Sequence, residues 1–431
     1  MKKLLLILLA QSFAVLVHAQ VPQPAKAQEQ ALLLKGGTIH VGNGQVIENG
    51  LIGFEKGRIT LVEENNGENG DLSKFKVIEI SGQHVYPGFI LANSSLGLEE
   101  VSAIRAMNDF NETGDINPNV RSLVAYNTDS KLIAPTRYNG VLIAETTPKG
   151  GRIPGTSSVM NLEGWNWEDA VLKEDIAIHL NWPNKRKGNF DYSTNVVQKE
   201  ENKDYQKEVD QLDLLLREAA NYTQLDQKEN NLKLEALQGL FNGEKALMLH
   251  TEDAKEIIES VRFFQGHGVK KIVLITGNDA LDVSGFLSEN SIPVILPPVH
   301  GLSDGADEDI YQRFKLPYLL TEAGVMVAIS HAGMLGRARN LPFYAGSAVA
   351  HGLKKETALQ LITLNPAKIL GIDQEVGSLE TGKRATLFVS KGDALDMMSN
   401  DLLHAFVNGK TIVLENEQQL LHQRYTNKYK E

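Results

Sequence analysis

The sequence predicts an α/β protein: a TIM-like (β/α)8 barrel inserted in a small β-sandwich domain formed by both ends of the mature chain. Three observations predict it. Residues 31–85 carry short apolar runs broken by Gly and Asn, the pattern of hairpins. From 86 to 370 apolar runs alternate with longer helical stretches, which implies a parallel sheet covered on both faces. Over 371–420 the hairpin rhythm returns. A chain of 431 residues leaves room for a barrel of eight strand–helix units in its middle segment.

In chain order, Lys2 and Lys3 precede an apolar stretch, Leu4 to Val17, and Val17-His18-Ala19 offers a cut after Ala19. This layout predicts a signal peptide over 1–19 and export, to a bacterial periplasm. The apolar run is short for a bilayer core of about 30 Å, so no stable membrane anchor is expected. Residues 20–30 form a polar lead-in. Thr38 to Val41, Ile52 to Phe54, Ile59 to Val62 and Val77 to Ile80 read as strands, with Glu55-Lys56-Gly57-Arg58 as one turn between them. Val141 to Ala144, Ala246 to Leu249, Ile272 to Ile275, Val294 to Leu296 and Val325 to Ile329 read as buried strands. Ala254 to Gly266 and Ala280 to Glu289 have helical spacing. Residues 199–236 interrupt the rhythm with a charged helix whose Val209, Leu212, Leu215 and Leu216 make one apolar stripe; the ordinary reading is a surface helix packed on the barrel. Ala385 to Val389 and Ala405 to Lys410 are the returning strands.

Composition narrows the function classes. The chain has no cysteine, so neither disulfides nor thiolate chemistry is available. A hydrophobic share of 42% and a charged share of 23% suit a globular core, and the net charge of −11 argues against a nucleic-acid partner. No P-loop occurs.

The seams carry a resemblance. His84-Val85-Tyr86-Pro87-Gly88-Phe89-Ile90 resembles the lead into the first barrel strand of the amidohydrolase superfamily. Thr363 to Gly371 and Val376 to Lys383 are similar to its last barrel helix and to the turn back into the β domain. The imidazolonepropionase-like amidohydrolases are the nearest in pattern. The resemblance implies a fold covering almost the whole mature chain and an enzyme that hydrolyses C–N bonds of cyclic amides or dipeptide-like compounds. It also implies histidines at strand ends holding a divalent metal, zinc first, which lowers the pKa of bound water.

Against that pattern the metal motifs are degenerate. Asn93 and Ser95 stand where the two histidines after the first strand are expected, and Leu91 stands for an Asp. Thr276 replaces the sixth-strand histidine, and His331 follows the eighth strand in place of an Asp. His250 ends the fifth strand as the family requires, and His179 marks the fourth. His250, His331 and His179 are therefore the candidate metal ligands. Asn93, Ser95, Thr276 and Arg152, the last in the Gly-rich loop Thr146 to Ser158, are candidate substrate-binding residues. His300 is a further rim candidate, while Glu99, Glu100, Asp109 and Glu112 read as a solvated acidic face.

Three readings stay open: a C–N hydrolase with a reduced or altered metal site, an inactive relative that binds a small amide or peptide-like ligand without metal, and a subunit pairing with itself or with an active homologous amidohydrolase.

Overall fold

The computed structural model describes residues 23–191, 196–222, 230–302 and 308–430. The export segment 1–19 lies outside the described residues. The chain opens with β1 (Leu32–His40), β2 (Val46–Glu55), β3 (Arg58–Glu64), β4 (Lys76–Glu79) and β5 (His84–Pro87). It continues with β6 (Phe89–Ser94), β7 (Val141–Thr146), β8 (Gly155–Asn161) and β9 (Val171–Asn181). A hairpin of β10 (Arg186–Asp191) and β11 (Val196–Glu201) follows. Then come β12 (Ala246–His250), β13 (Ile272–Ile275), β14 (Val294–Leu296) and β15 (Val327–Ile329). The last strands are β16 (Leu387–Ser390), β17 (Leu402–Val407) and β18 (Lys410–Thr411).

Both ends of the chain build one sheet in the order β18-β17-β16-β5-β1-β2-β3, with β4 also beside β1. This is the composite β domain expected from the two ends of the chain, its strands joined in one continuous hydrogen-bonded path. Irregularities in β1 at Lys35–Ile39 let its first half pair with β4 and its second half with β5. Alternating side chains then serve two apolar clusters: Leu32, Leu34, Ile52 and Phe54 join Leu387 and Phe406 on one side, and Leu33 and Leu51 meet Phe75 on the other. Two tight turns use residues with positive φ, Lys56-Gly57 (51° and 80°) and Asn408-Gly409 (50° and 75°), whose twist suits a two-residue hairpin.

The second sheet runs β6-β7-β8-β9-β12-β13-β14-β15, and a parallel bridge between Ala92 and Ser330 joins its last strand to its first. This is the TIM-like barrel, with one departure from eight repeated strand–helix units. β8 is antiparallel to both β7 and β9, while all other pairs are parallel. Antiparallel neighbours need only a short connection, so the Gly-rich loop 147–154 replaces a crossover helix.

Helices cover the barrel outside. Among them are α1 (Tyr205–Tyr222), α2 (Leu232–Asn242), α3 (Ala254–Gly266), α4 (Ser284–Glu289), α5 (Gln312–Glu322) and α6 (Leu341–Ala350). The stripe on α1 packs as the ordinary reading expects: Val209, Leu212 and Leu216 are buried in the main core and Leu215 lies against it. Asp253 caps α3 by accepting from the N–H groups of Lys255 and Glu256. Inside the barrel Ile90, Ile143, Val159, Ala177, Met248, Val273, Ile295 and Ala328 form a dry cluster. Ala367, Ile369, Leu370, Ile372 and Val376 of the outgoing chain complete it. One inward step further along the strands, the residues turn polar.

Candidate active site

That polar step is Glu145 on β7, Ser157 on β8, His179 on β9 and His250 at the end of β12. Strand alternation dictates it: Ile143, Ala177 and Met248 point inward, so Glu145, His179 and His250 do too. Glu145, Ser157 and His179 are fully buried. His179 Nε2 lies 3.2 Å from Glu145 Oε1, and His179 Nδ1 lies 3.0 Å from His250 Nε2. Ser157 Oγ donates to Glu145 Oε1 at 2.7 Å, and the backbone N–H of Asn93 donates to Oε2 at 2.8 Å. Burial pushes the Glu145 carboxyl up, but the contact with His179, the Asn93 N–H and the Ser157 hydroxyl outweigh it, and the net shift is downward.

The ionised carboxylate sets the protons along the chain. Glu145 accepts from His179 Nε2–H, so with one proton per ring His179 Nδ1 accepts from His250 Nε2–H. His250 Nδ1 then carries a lone pair, with no protein partner among the described residues. Burial, then His179, then the Lys149 charge push the His250 pKa down to about 3, so the ring is neutral near pH 7.

Lys149 reaches the same mouth from the Gly-rich loop. Its Nζ donates to Ser95 Oγ at 2.8 Å and to the Ala332 carbonyl at 2.5 Å, tying the exit of β6 to that of β15. Ser95 Oγ in turn donates to Glu99 Oε2 at 3.1 Å. A cleft of about 240 Å³ opens on the same rim beyond β12, β13 and β14, lined by Glu252, Asp279, Leu296, Pro297, Arg313 and Leu316 among others.

The sequence candidates separate into those the fold joins and those it does not. His179 and His250 are hydrogen-bonded to each other. His331 is engaged elsewhere: its Nε2 donates to the Met334 carbonyl at 3.2 Å and its Nδ1 accepts from Tyr344 Oη at 2.9 Å. Asn93 serves through its backbone, in a left-handed conformation with φ 46°. Ser95 binds Lys149. The Arg152 guanidinium is held by protein, Nη1 on the Asn181 carbonyl at 2.7 Å and Nη2 on Glu208 of α1 at 2.8 Å, so it clamps α1 to the rim. Thr276 is buried with no hydrogen-bond partner for its hydroxyl among the described residues. His300 lies against Ser347 Oγ at 2.6 Å.

Sequence reasoning missed Glu145, Ser157 and Lys149. The signal for Glu145 was there: a single acid inside the apolar run Val141–Thr146, which is stable when buried only if it is paired.

A catalytic zinc needs three protein ligands and one open position. Glu145 and His250 sit on opposite nitrogens of the His179 ring, so one ion cannot take all three. Both nitrogens of His331 are used. Among the described residues no group of three or more His, Asp or Glu is arranged to hold a metal ion. The residues present do not fit the three-ligand centre that the resemblance implies.

Comparison with known proteins agrees with this architecture. Residues 235–412 match the model of the Amidohydrolase family. The match takes in the second half of the barrel and the start of the returning β domain. Over 89% of its length the chain superposes on 99% of an amidohydrolase from Thermotoga maritima MSB8, with a TM-score of 0.76 and 22% identity. It superposes over 94% of its length on 98% of an adenosine deaminase from Xanthomonas campestris with bound zinc, with a TM-score of 0.53 and 14% identity. In sequence, 86 residues are 35% identical to a 5-methylthioadenosine/S-adenosylhomocysteine deaminase from Saccharophagus degradans. That match takes in 17% of this chain and 19% of the deaminase, so it spans about a fifth of that relative's length. The structural likenesses establish the fold.

Proposed function

We propose that the chain acts on carbon–nitrogen bonds of small amides or peptide-like compounds at the barrel mouth, through an altered site in which His250 is the reacting group. The observation that supports this is the chain Glu145–His179–His250, three inward side chains hydrogen-bonded in series and ending on a nitrogen with a lone pair. The match of residues 235–412 to the Amidohydrolase family model supports the reaction class. In this reading a water gives a proton to His250 Nδ1, and its oxygen attacks the amide carbonyl carbon. The departing amine takes that proton back as the C–N bond breaks. Glu145 and His179 hold the His250 tautomer and stabilise the imidazolium that forms between the two transfers.

One observation favours a second reading. A base with a pKa of about 3 is poorly matched to proton transfer near neutral pH. A relative that binds an amide without cleaving it, alone or beside an active homologue, needs no such base. The test is a panel of cyclic amides and dipeptides, with amine release followed in the mature protein and in His250→Ala. Elemental analysis of protein purified without chelator accompanies it. Amine release that disappears in His250→Ala, with metal well below one per chain, supports hydrolysis at an altered site. A ligand-dependent rise in Tm with no amine release supports binding alone. One zinc per chain, lost in His250→Ala, would sink the altered-site reading. We place the mature chain in the periplasm on the strength of its N-terminal pattern, to be checked by cell fractionation, and homologous partners by co-purification.

A further inference from the structure

Lys149 forms no direct ion pair among the described residues. Both acceptors on its Nζ, the Ser95 hydroxyl and the Ala332 carbonyl, are neutral. Among the described residues the acid whose charge acts on it, Glu99, is linked to it through Ser95 Oγ. The charge of Lys149 acts on both His250 and His331, which places it in the mouth among the imidazoles. Burial pushes the Lys149 pKa down, against a raising effect from Glu99. An ammonium has three N–H donors, and two are spent on protein. The side chain is only partly buried, with the Phe110 ring centroid 5.4 Å from Nζ, and the third N–H has no protein acceptor among the described residues. Arg152 does not compete for this role, being tied to Asn181 and Glu208.

We propose that Lys149 binds a carboxylate of the ligand, so that the barrel mouth selects amides that carry an acid group, such as N-acyl amino acids and peptides with a free C-terminus. This rests on the reading that the mouth is the ligand site, but not on whether the ligand is cleaved. A carboxylate beside Lys149 makes a charge-assisted hydrogen bond in a partly dehydrated site and pairs a charge that has no direct ion pair among the described residues.

The test is calorimetric titration of the mature protein with N-acetylglycine, N-acetylleucine and N-acetylproline and with their matched carboxamides. The wild type is expected to prefer the carboxylates by about tenfold or more, the scale of a hydrogen bond to a charged group. Lys149→Gln keeps donors for Ser95 and Ala332 and removes only the charge; it is expected to erase the preference. Lys149→Arg keeps the charge and is expected to retain it, as is Ser95→Ala, which leaves the ammonium in place. Equal affinity for acids and amides in the wild type, including no binding of either, overturns the proposal, as does a preference that survives in Lys149→Gln. A carboxylate preference in a protein that releases no amine leaves this inference standing and removes only the hydrolytic reading.

Discussion

At the scale of single residues, the site is a set of mutual satisfactions. Glu145 accepts three hydrogen bonds with no access to water, and removing its carboxylate strands all three donors. Glu145→Ala is therefore expected to lower stability by about 3–5 kcal/mol, and Glu145→Gln by less, as read from urea unfolding. His250 adds a pH dependence of known sign. Its folded pKa of about 3 lies below the ordinary value of 6.5. As pH falls from 6.5 towards 3 the unfolded chain binds a proton that the native state refuses, so stability drops through that window. His250→Gln is expected to flatten the loss of unfolding free energy between pH 7.5 and pH 5. An identical slope in the variant would remove the buried, neutral His250 from the account.

At the scale of elements, the departure of β8 from the parallel order decides what the rim contains. Because β8 runs back, its Ser157 reaches Glu145 from a neighbouring strand, and the loop before it delivers Lys149 and Arg152 to the mouth. An ordinary crossover helix would place neither there. The two hairpin turns of the composite sheet show another element-level constraint. Gly57 has φ 80°, and a Cβ there would lie 2.8 Å from the Asn408 carbonyl oxygen, part of the other tight turn. Gly57→Ala is expected to cost about 1–3 kcal/mol, visible as a lower Tm, because both the backbone region and the contact oppose it. The α1 stripe behaves as a packing face: Leu212→Ala is expected to cost about 2–5 kcal/mol.

At the scale of the whole molecule, neither sheet is independent of the other. β16 comes from the far end of the chain yet lies between β5 and β17, and β5 leads directly into β6 of the barrel. Phe388 on β16 stacks on Tyr86 and meets Phe89 edge-on, so the seam itself is packed with aromatic rings. Ending the chain after Ile372 removes the strand that pairs with β5 and exposes that seam. Such a truncation is expected to be insoluble or to lose cooperative thermal unfolding, whereas removal of only 417–431, an outer helix with no buried residue, is expected to leave Tm within a few degrees. Comparison of the two truncations by circular dichroism checks this.

Much of this was legible in the sequence for a physical reason. Apolar periodicity is local, so the strands at 246–250, 272–275 and 294–296 and the helix at 254–266 stand near their expected bounds. The Gly-bearing turn at 56–57 is equally local, because positive φ is a property of two residues, whereas the run Ala405 to Lys410 read as strand is broken by the turn at 408–409. The sequence by itself also determined that Asn93, Ser95 and Thr276 bring no imidazole to the rim, since side-chain chemistry does not depend on the fold. Only the tertiary structure decided the direction of β8, because a short apolar strand reads the same in either direction. It alone decided that His179 and His250 meet while His331 turns to Tyr344, and that Arg152 is spent on Glu208. Those outcomes hinge on register and on partners from 13 to 71 residues away, and a proton or a charge settles only where the assembled barrel puts its counterpart.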